Sequence, residues 1–231
     1  MYIVIDSKIP SEAKDNLSQY GQLIEFKPHS ITYDAISSHP DIFLCQTPEN
    51  IILAPNTPLE IIHKFQNNQL NFIFGKRAVG QQYPQTSFYN AVVTDSFLIH
   101  NTKNTDDKII ELSSGKKIIS VNQGYTRCNL VSLNDSSFIT SDKGIYNQLQ
   151  IQENISVLYV NPEKIRLPGH KNGFFGGCCG VYGQQLFIIG NINEMEEGSS
   201  IRIFAEKVGI QIIELYDGVL YDGGSIFFID S

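Results

Sequence analysis

The stretch HPDIFLCQTPENIILAPN, residues 39–56, decides the fold because its pattern recurs along the chain. A loop leads into a short apolar strand, a tight polar turn follows, and a second apolar strand completes the unit. Four further segments share this form: YNAVVTDSFLIHN (89–101), RCNLVSLNDSSFITSD (127–142), GGCCGVYGQQLFIIGN (176–191) and YDGGSIFFID (221–230). Equivalent points lie roughly 40 to 50 residues apart, a spacing typical of structural repeats.

A helix and one more strand are predicted after each of the first four hairpins. The predicted helices are TPLEIIHKFQNN (57–68), NTDDKIIELSSG (104–115), SDKGIYNQLQ (141–150) and EGSSIRIFAEKVG (197–209). In the first, Thr57 and Glu60 have the spacing of a capping box. The strands NFIFG, KIISV, SVLYV and IQIIEL follow, while MYIVID, SEAKDNLSQYG and QLIEF supply the corresponding elements at the N-terminus.

Units of this size cannot bury their apolar faces alone, so five of them are expected to pack around an axis. This packing would bring the end of the chain against its beginning. We therefore predict one α/β domain over residues 1–231, a five-bladed pseudo-symmetric α/β propeller of ββαβ-type units. A doubly wound parallel sheet is the alternative, but its single strands alternate with helices, and the recurring hairpins favour the propeller.

Composition narrows the classes of function. The chain has 231 residues, of which 42% are hydrophobic, enough for a full core. No apolar run approaches the length of a membrane span, and the first residues lack the features of a signal peptide, so we predict a cytoplasmic protein without a membrane partner. The net charge of -7 includes no Lys/Arg cluster, which disfavours nucleic acid. The four cysteines lack zinc-site spacing.

Several motifs resemble those of a known superfamily. The GG loops, the H-x-D triplet at His39-Pro40-Asp41 and the terminal DGGSIFFI resemble the pentein, or guanidino-group-modifying enzyme, fold. NQGYTRCN, TSDKGI and GFFGG are similar to an uncharacterised bacterial branch of it, a domain family of unknown function. The resemblance implies a central channel in which acidic residues hold a guanidinium, a cysteine attacks its central carbon and a histidine moves protons. It implies neither a metal nor an organic cofactor.

One position departs from the pattern of those enzymes. Aligning DGGSIFFI with it puts Phe228 where the family has its cysteine, and a phenyl ring cannot act as a nucleophile. Either the chain is not such a hydrolase, or the chemistry lies in another unit. Asp222 in unit five, His39 in unit one and Cys128 in unit three preserve the family's cyclic order, although Cys128 comes early in its strand. Cys45 has the better offset, but it shares a unit with His39.

The resulting hypothesis assigns Cys128 as nucleophile and His39 as acid/base. The substrate-binding candidates are Asp41, Asp222, Arg127, Asn129 and Asn90. The polar neighbours of Cys128 are expected to lower its thiol pKa.

Structural explanations compete with these roles. His39 and Asp41 beside a proline are also typical of a simple turn, and Asp222 could stabilise its own glycine loop. His170 in LPGHKNGFFGG favours a solvated loop. Cys45 and the pair Cys178-Cys179 are expected in the core.

Two classes of function remain. The first is a cysteine-dependent hydrolase or transferase that acts on a guanidino, amidino or similar small polar compound in the central channel. The alternative is a non-catalytic small-ligand-binding or interaction protein of the same fold.

Overall fold

A computed structural model describes residues 1–230. Its strands are β1 (Tyr2–Asp6), β2 (Gln22–Phe26), β3 (Leu44–Gln46), β4 (Ile51–Leu53), β5 (Ile73–Phe74), β6 (Val92–Val93), β7 (Phe97–His100), β8 (Lys117–Ser120), β9 (Leu130–Asn134), β10 (Ser137–Thr140), β11 (Ser156–Tyr159), β12 (Cys179–Tyr182), β13 (Gln185–Ile188), β14 (Gln211–Glu214) and β15 (Phe227–Ile229). Its helices are α1 (Ser11–Ser18), α2 (Leu59–Asn67), α3 (Asp107–Leu112), α4 (Thr126–Asn129), α5 (Lys143–Leu149) and α6 (Gly198–Lys207). None of these helices has the length and apolar character needed to cross a lipid bilayer.

The strands form five small mixed sheets, which confirms the predicted propeller. Their strand orders are β3-β4-β5, β6-β7-β8, β9-β10-β11, β12-β13-β14 and β15-β1-β2. In every sheet the first strand is antiparallel to the second, and the second is parallel to the third. A helix connects each parallel pair, as a parallel connection requires.

The fifth blade differs from the prediction in one respect. The prediction of a fifth hairpin at the C-terminus is wrong. Instead β15 pairs with the N-terminal strand β1, with Tyr2 opposite Ile229 and Val4 opposite Phe227. β1, α1 and β2 from the N-terminal segment supply the other strands and the helix of this blade. Both termini therefore belong to one blade.

The middle strand of each blade forms the core. In β10 the residues Ser137–Thr140 are all buried, and β4 (Ile51–Leu53) is buried throughout. Isoleucine, leucine and phenylalanine fill these strands because both faces of the sheet are covered, one by a helix and the other by neighbouring blades. The third strands lie on the outside: Ile118 in β8 is half-exposed.

Capping side chains determine where two of the helices start, and a proline determines the start of a third. Asp106 and Asp142 cap α3 and α5 by accepting bonds from backbone N–H groups. The capping box predicted for α2 is wrong. Pro58 occupies the N-cap and shifts the start, so the Thr57 hydroxyl instead donates to the carbonyl of Ala54 at 2.8 Å.

The first strands of the blades, β3, β6, β9, β12 and β15, lie side by side around the central axis. A hydrogen bond of 2.8 Å from Nε2 of Gln46 to the carbonyl of Phe228 joins β3 to β15 and completes the ring. The residues that immediately precede these inner strands therefore meet at one end of the axis.

Candidate functional site

Three residues that precede the first three inner strands are joined directly. Nδ2 of Asn90 donates to the carbonyl of Asp41 at 3.1 Å and to Sγ of Cys128 at 3.2 Å. Oδ1 of Asn90 accepts from the backbone N–H of Cys128 at 3.0 Å. Asn90 thus fixes the position of Cys128 and gives its sulfur a hydrogen-bond donor.

The thiol of Cys128 also contacts a carboxylate. Its Sγ lies 2.9 Å from Oδ2 of Asp41, which accepts a second bond of 3.0 Å from the hydroxyl of Ser225. Oδ1 of Asp41 is buried and has no hydrogen-bond partner within residues 1–230. A buried carboxylate oxygen without a donor is costly, so Asp41 is held in place at the expense of stability.

A cavity of about 210 Å³ opens beside these groups. His39, Cys128 and Asp222 line it together. Its remaining walls are mainly aromatic and aliphatic: Tyr33, Ile36, Ile42, Tyr125, Leu167, His170, Asn172 and Phe174. The thiol, one imidazole and one carboxylate therefore face the same small space.

His39 is held by an acidic residue at the end of β1. Its Nε2 lies 3.7 Å from Oδ2 of Asp6, and both side chains are almost fully buried. Oδ1 of Asp6 accepts from the backbone N–H of Lys8 at 2.7 Å, which fixes the carboxylate. Nδ1 of His39 is buried and has no hydrogen-bond partner in the described chain.

Asp222 is held by the backbone on two sides. Oδ1 accepts from the N–H of Gly224 at 3.1 Å, and Oδ2 accepts from the N–H of Phe174 at 2.9 Å. Burial raises the pKa of Asp222 to about 6, with a further increase from the nearby charge of Asp41, while His39 opposes the shift. Asp222 therefore titrates near neutral pH and is sensitive to any cation that enters the cavity.

The expected low pKa of the Cys128 thiol is wrong. Burial raises it well above its ordinary value, and the negative charges of Asp41 and Asp222 raise it further. The polar neighbours in the sequence do not compensate, because Arg127 and Asn129 direct their side chains elsewhere. The thiol is protonated in the free protein at neutral pH.

Of the five residues predicted to bind substrate, only Asp222 lines this cavity: Asp41 and Asn90 contact the Cys128 thiol from within the protein, and Arg127 and Asn129 turn away. Nη1 and Nη2 of Arg127 donate to the carbonyls of Gly176 and Cys179, both at 3.0 Å. Asn129 donates to the carbonyl of Tyr125 at 2.9 Å and accepts from a serine hydroxyl, so its amide is used inside the protein.

Phe228 and the other cysteines lie in the core. The ring of Phe228 packs 4.7 Å from that of Phe187. Cys45, Cys178 and Cys179 are buried and free, as expected, and burial raises the pKa of each thiol, that of Cys45 to about 12. Within residues 1–230, no three His, Cys, Asp or Glu side chains are grouped so as to hold a metal ion.

Sequence reasoning missed several members of the site. Asp6 ends the first strand, and Ser225 belongs to the glycine loop of the last blade, so each reaches its partner across a blade boundary. Tyr33 and Tyr125, from loops far apart in the chain, meet at 3.5 Å between their hydroxyls. His170 is exposed, as predicted, and also lines the cavity. Of these residues, only Tyr125 could have been identified from its position in the sequence, because it lies in GYTRCN, three residues before Cys128.

Solved structures share this architecture. Agmatine deiminase from C. jejuni superposes with a TM-score of 0.55 at 9% identity, covering 93% of this chain and 86% of that chain. A cysteine-to-serine variant of DDAH from Pseudomonas aeruginosa, complexed with citrulline, gives 0.53 at 7% identity, covering 92% and 91%. An amidinotransferase from Microseira wollei, of the saxitoxin biosynthetic pathway, gives 0.51 at 10% identity, covering 92% and 87%.

Because the sequence identities are this low, the superpositions show only the fold, which is that of the pentein superfamily. Comparison with curated proteins finds none that matches the chain. The profile of DUF6873, a family of unknown function, matches residues 4–227. The chain belongs to this family.

Proposed function

We propose that the protein is a cysteine-dependent hydrolase or transferase acting on a guanidino or amidino compound, with Cys128 as nucleophile. The observation that carries the proposal is the cavity in which Cys128, His39 and Asp222 converge, with Asp41 2.9 Å from the thiol. The three solved relatives are named for deiminase, DDAH and amidinotransferase activities. Their low identity leaves the chemistry of this chain to be argued from its own residues.

The cavity suits a small planar cation. Asp222 lines it and offers a carboxylate that can accept N–H groups. Tyr33, Tyr125 and Phe174 provide aromatic surfaces that favour a cation. A guanidinium satisfies both requirements because it is flat, positively charged and rich in donors.

Binding of the cation also activates the nucleophile. The pKa of Cys128 is raised by burial and by the charges of Asp41 and Asp222, and a cation between these groups opposes the effect of both charges. Ionisation of the thiol then accompanies binding. The free protein keeps its thiol protonated, which protects it from unrelated electrophiles.

The reaction follows from these positions. The Sγ proton passes to Oδ2 of Asp41, and the thiolate forms a C–S bond to the central carbon of the guanidinium while the C=N electron pair moves to nitrogen. Protonated His39 gives its proton to the leaving amine, and the C–N bond breaks. Water, or an acceptor amine in a transferase, then attacks the same carbon and gives its proton to His39. The C–S bond breaks, and Cys128 regains its proton from Asp41.

A non-catalytic binding protein is the second candidate, and one observation favours it. The thiol of Cys128 is almost fully buried and has a raised pKa, which a protein that only binds cations would tolerate. Under this alternative the ligand stabilises the fold without any covalent step.

We also propose that residues 1–231 form one domain that works in the cytoplasm. A reducing compartment would keep the four cysteines as thiols.

Two small electrophiles of similar size test the assignment. Chloroacetamidine carries a cationic amidine, whereas iodoacetamide is neutral. If the acidic cavity serves Cys128, the rate of chloroacetamidine relative to iodoacetamide should be higher at Cys128 than at free glutathione, which corrects for their different leaving groups, and methylarginine or agmatine should protect Cys128. Peptide mapping after labelling identifies the modified cysteine.

Variants provide the controls. C128S should lose the label, whereas C178S should keep it because Cys178 does not line the cavity. D222N should slow chloroacetamidine relative to iodoacetamide, because it removes the carboxylate that attracts the amidine; the iodoacetamide rate itself should rise, since the charge of Asp222 helps to raise the pKa of Cys128. The same ratio of the two rates at Cys128 as at glutathione would contradict the cation site. Protection by guanidino compounds without release of a modified product from any of them would favour the binding protein.

A further inference from the structure

A second cavity lies at the opposite end of the central axis. It has a volume of about 280 Å³ and shares no lining residue with the cavity at Cys128. Its walls include residues from within the inner strands and from the turn between β3 and β4: Gln46, Thr47, Val93, Val131, Val181 and Phe227. The Cys128 cavity instead lies where those strands begin, so the ring of inner strands separates the two spaces.

Arg127 is the only ionisable residue that lines this second cavity among those described. Its guanidinium lies over the ring of Phe227, 5.5 Å from the centroid, and two of its nitrogens donate to the carbonyls of Gly176 and Cys179. Both partners are neutral. Within residues 1–230, no carboxylate lies within 4.0 Å of the guanidinium.

The charge of Arg127 therefore has no direct counterion. Asp41 is the carboxylate with the strongest influence on it, but Oδ2 of Asp41 is already used by Cys128 and Ser225. Burial lowers the pKa of Arg127, which reflects the cost of keeping an unpaired cation out of water. A guanidinium has five N–H donors in a planar fork, and two are satisfied by the carbonyls, so donors remain for an oxyanion.

The walls indicate which oxyanion fits. Val93, Val131 and Val181 offer apolar surface, and Arg127 supplies a single positive charge. Inorganic phosphate carries more charge than one arginine neutralises and has no apolar part to place against valines. A carboxylate matches one guanidinium and allows a short hydrocarbon body to contact the walls.

We propose that this cavity binds a small monocarboxylate with a short apolar body, its carboxylate on Arg127 and its body against the valines. The site is independent of the function proposed for Cys128, because the two cavities have no residue in common. It also gives Arg127 a role different from the one that its position beside Cys128 suggested.

Isobutyrate is the probe, and isobutyramide is its neutral control of nearly the same shape. At about ten times its dissociation constant, isobutyrate should raise the midpoint of thermal unfolding by about 4 °C. Isobutyramide should leave the midpoint unchanged at equal concentration and ionic strength. Acetate should bind more weakly because it lacks the apolar body, and phosphate should not exceed a chloride control.

Three variants locate the effect. V93F fills the cavity while leaving Arg127 in place, and R127Q removes the charge; both should abolish the shift. R202Q serves as the matched control, since Arg202 pairs with Glu214 at 3.0 Å outside this cavity. C128S should retain the shift, which separates this site from the Cys128 cavity.

The inference would be overturned by an absent isobutyrate shift in the wild-type protein, or by an equal shift in a folded V93F variant. A stronger shift with phosphate than with isobutyrate would overturn the assigned ligand class.

Discussion

Substitution of Asp222 by Asn should remove a loss of stability that the wild-type protein shows as pH rises from 4 to 8. The pKa of Asp222 is raised from 3.8 to about 6 by burial and by Asp41. Because the folded state holds its proton more tightly than the unfolded chain, the stabilising contribution is complete below pH 3.8 and is lost as pH rises through 6. A shift of this size corresponds to about 3 kcal/mol at pH 8.

The asparagine variant does not titrate, but its amide nitrogen cannot accept the second backbone N–H that Asp222 binds, so the substitution also has a cost that does not depend on pH. The free energy of unfolding of D222N relative to wild type should therefore rise by about 3 kcal/mol between pH 4 and pH 8. Urea unfolding at closely spaced pH values measures the difference, in which all other titrating groups cancel. D217N, at an exposed aspartate, is the control. A difference that does not change with pH would refute the reasoning.

Three further substitutions test other contacts. Ser225 donates to Asp41, and its backbone has a φ of +74°, so S225A should lower the free energy of unfolding by about 1–2 kcal/mol. S225G relieves the left-handed strain and should be about 1 kcal/mol more stable than S225A in urea unfolding. Equal stabilities of the two variants would contradict this. A Cβ on Gly177 would overlap Oδ1 of Asp222, so G177A should destabilise the fold by about 1–3 kcal/mol and slow labelling by chloroacetamidine; normal labelling would show that Asp222 had not moved. Burial lowers the pKa of His100 to about 4 from 6.5, so the wild type should lose about 3 kcal/mol of stability as pH falls from 6.5 to 4, and H100Q should show a flatter pH profile.

The fold was predictable because each blade repeats one local pattern. The hairpins and helices follow from apolar runs and turn residues, which act within about fifteen residues along the chain. The pairing of β15 with β1 joins residues at opposite ends of the sequence, so local pattern could not distinguish it from a fifth hairpin. The start of α2 depended on Pro58, whose ring fixes the backbone without offering a capping side chain.

Part of the candidate site was predictable, namely the residues whose side chains have suitable chemistry and whose positions in the sequence lie at the start of an inner strand. Cys128, His39 and Asp222 precede or enter inner strands, and strand entrances meet at the axis. The direction of Arg127 was not predictable from its neighbour, because consecutive residues of the short helix α4 point to different sides. Asp6 could not be identified either, since its contact with His39 depends on the junction between two blades.

The five-fold arrangement explains why the site combines residues from distant parts of the chain. Asp41, Asn90, Cys128, Gly177 and Gly224 come from successive blades and lie next to one another at one end of the axis. The backbone N–H of Asp41 donates to the carbonyl of Gly224 at 3.2 Å, which joins the first blade to the last. Each blade thus contributes one position to a closed ring.

Two of these five positions are glycines, and a side chain at either would overlap a residue of the candidate site. A Cβ on Gly224, whose φ is +65°, would overlap the ring of His39, and a Cβ on Gly177 would overlap the carboxylate of Asp222. The imidazole and the carboxylate therefore occupy space that side chains from blades four and five would otherwise fill. Among the four cysteines, Cys128 is the one whose side chain lines the cavity beside these groups. The presence of Phe228 in the last blade is thus compatible with cysteine chemistry in the third.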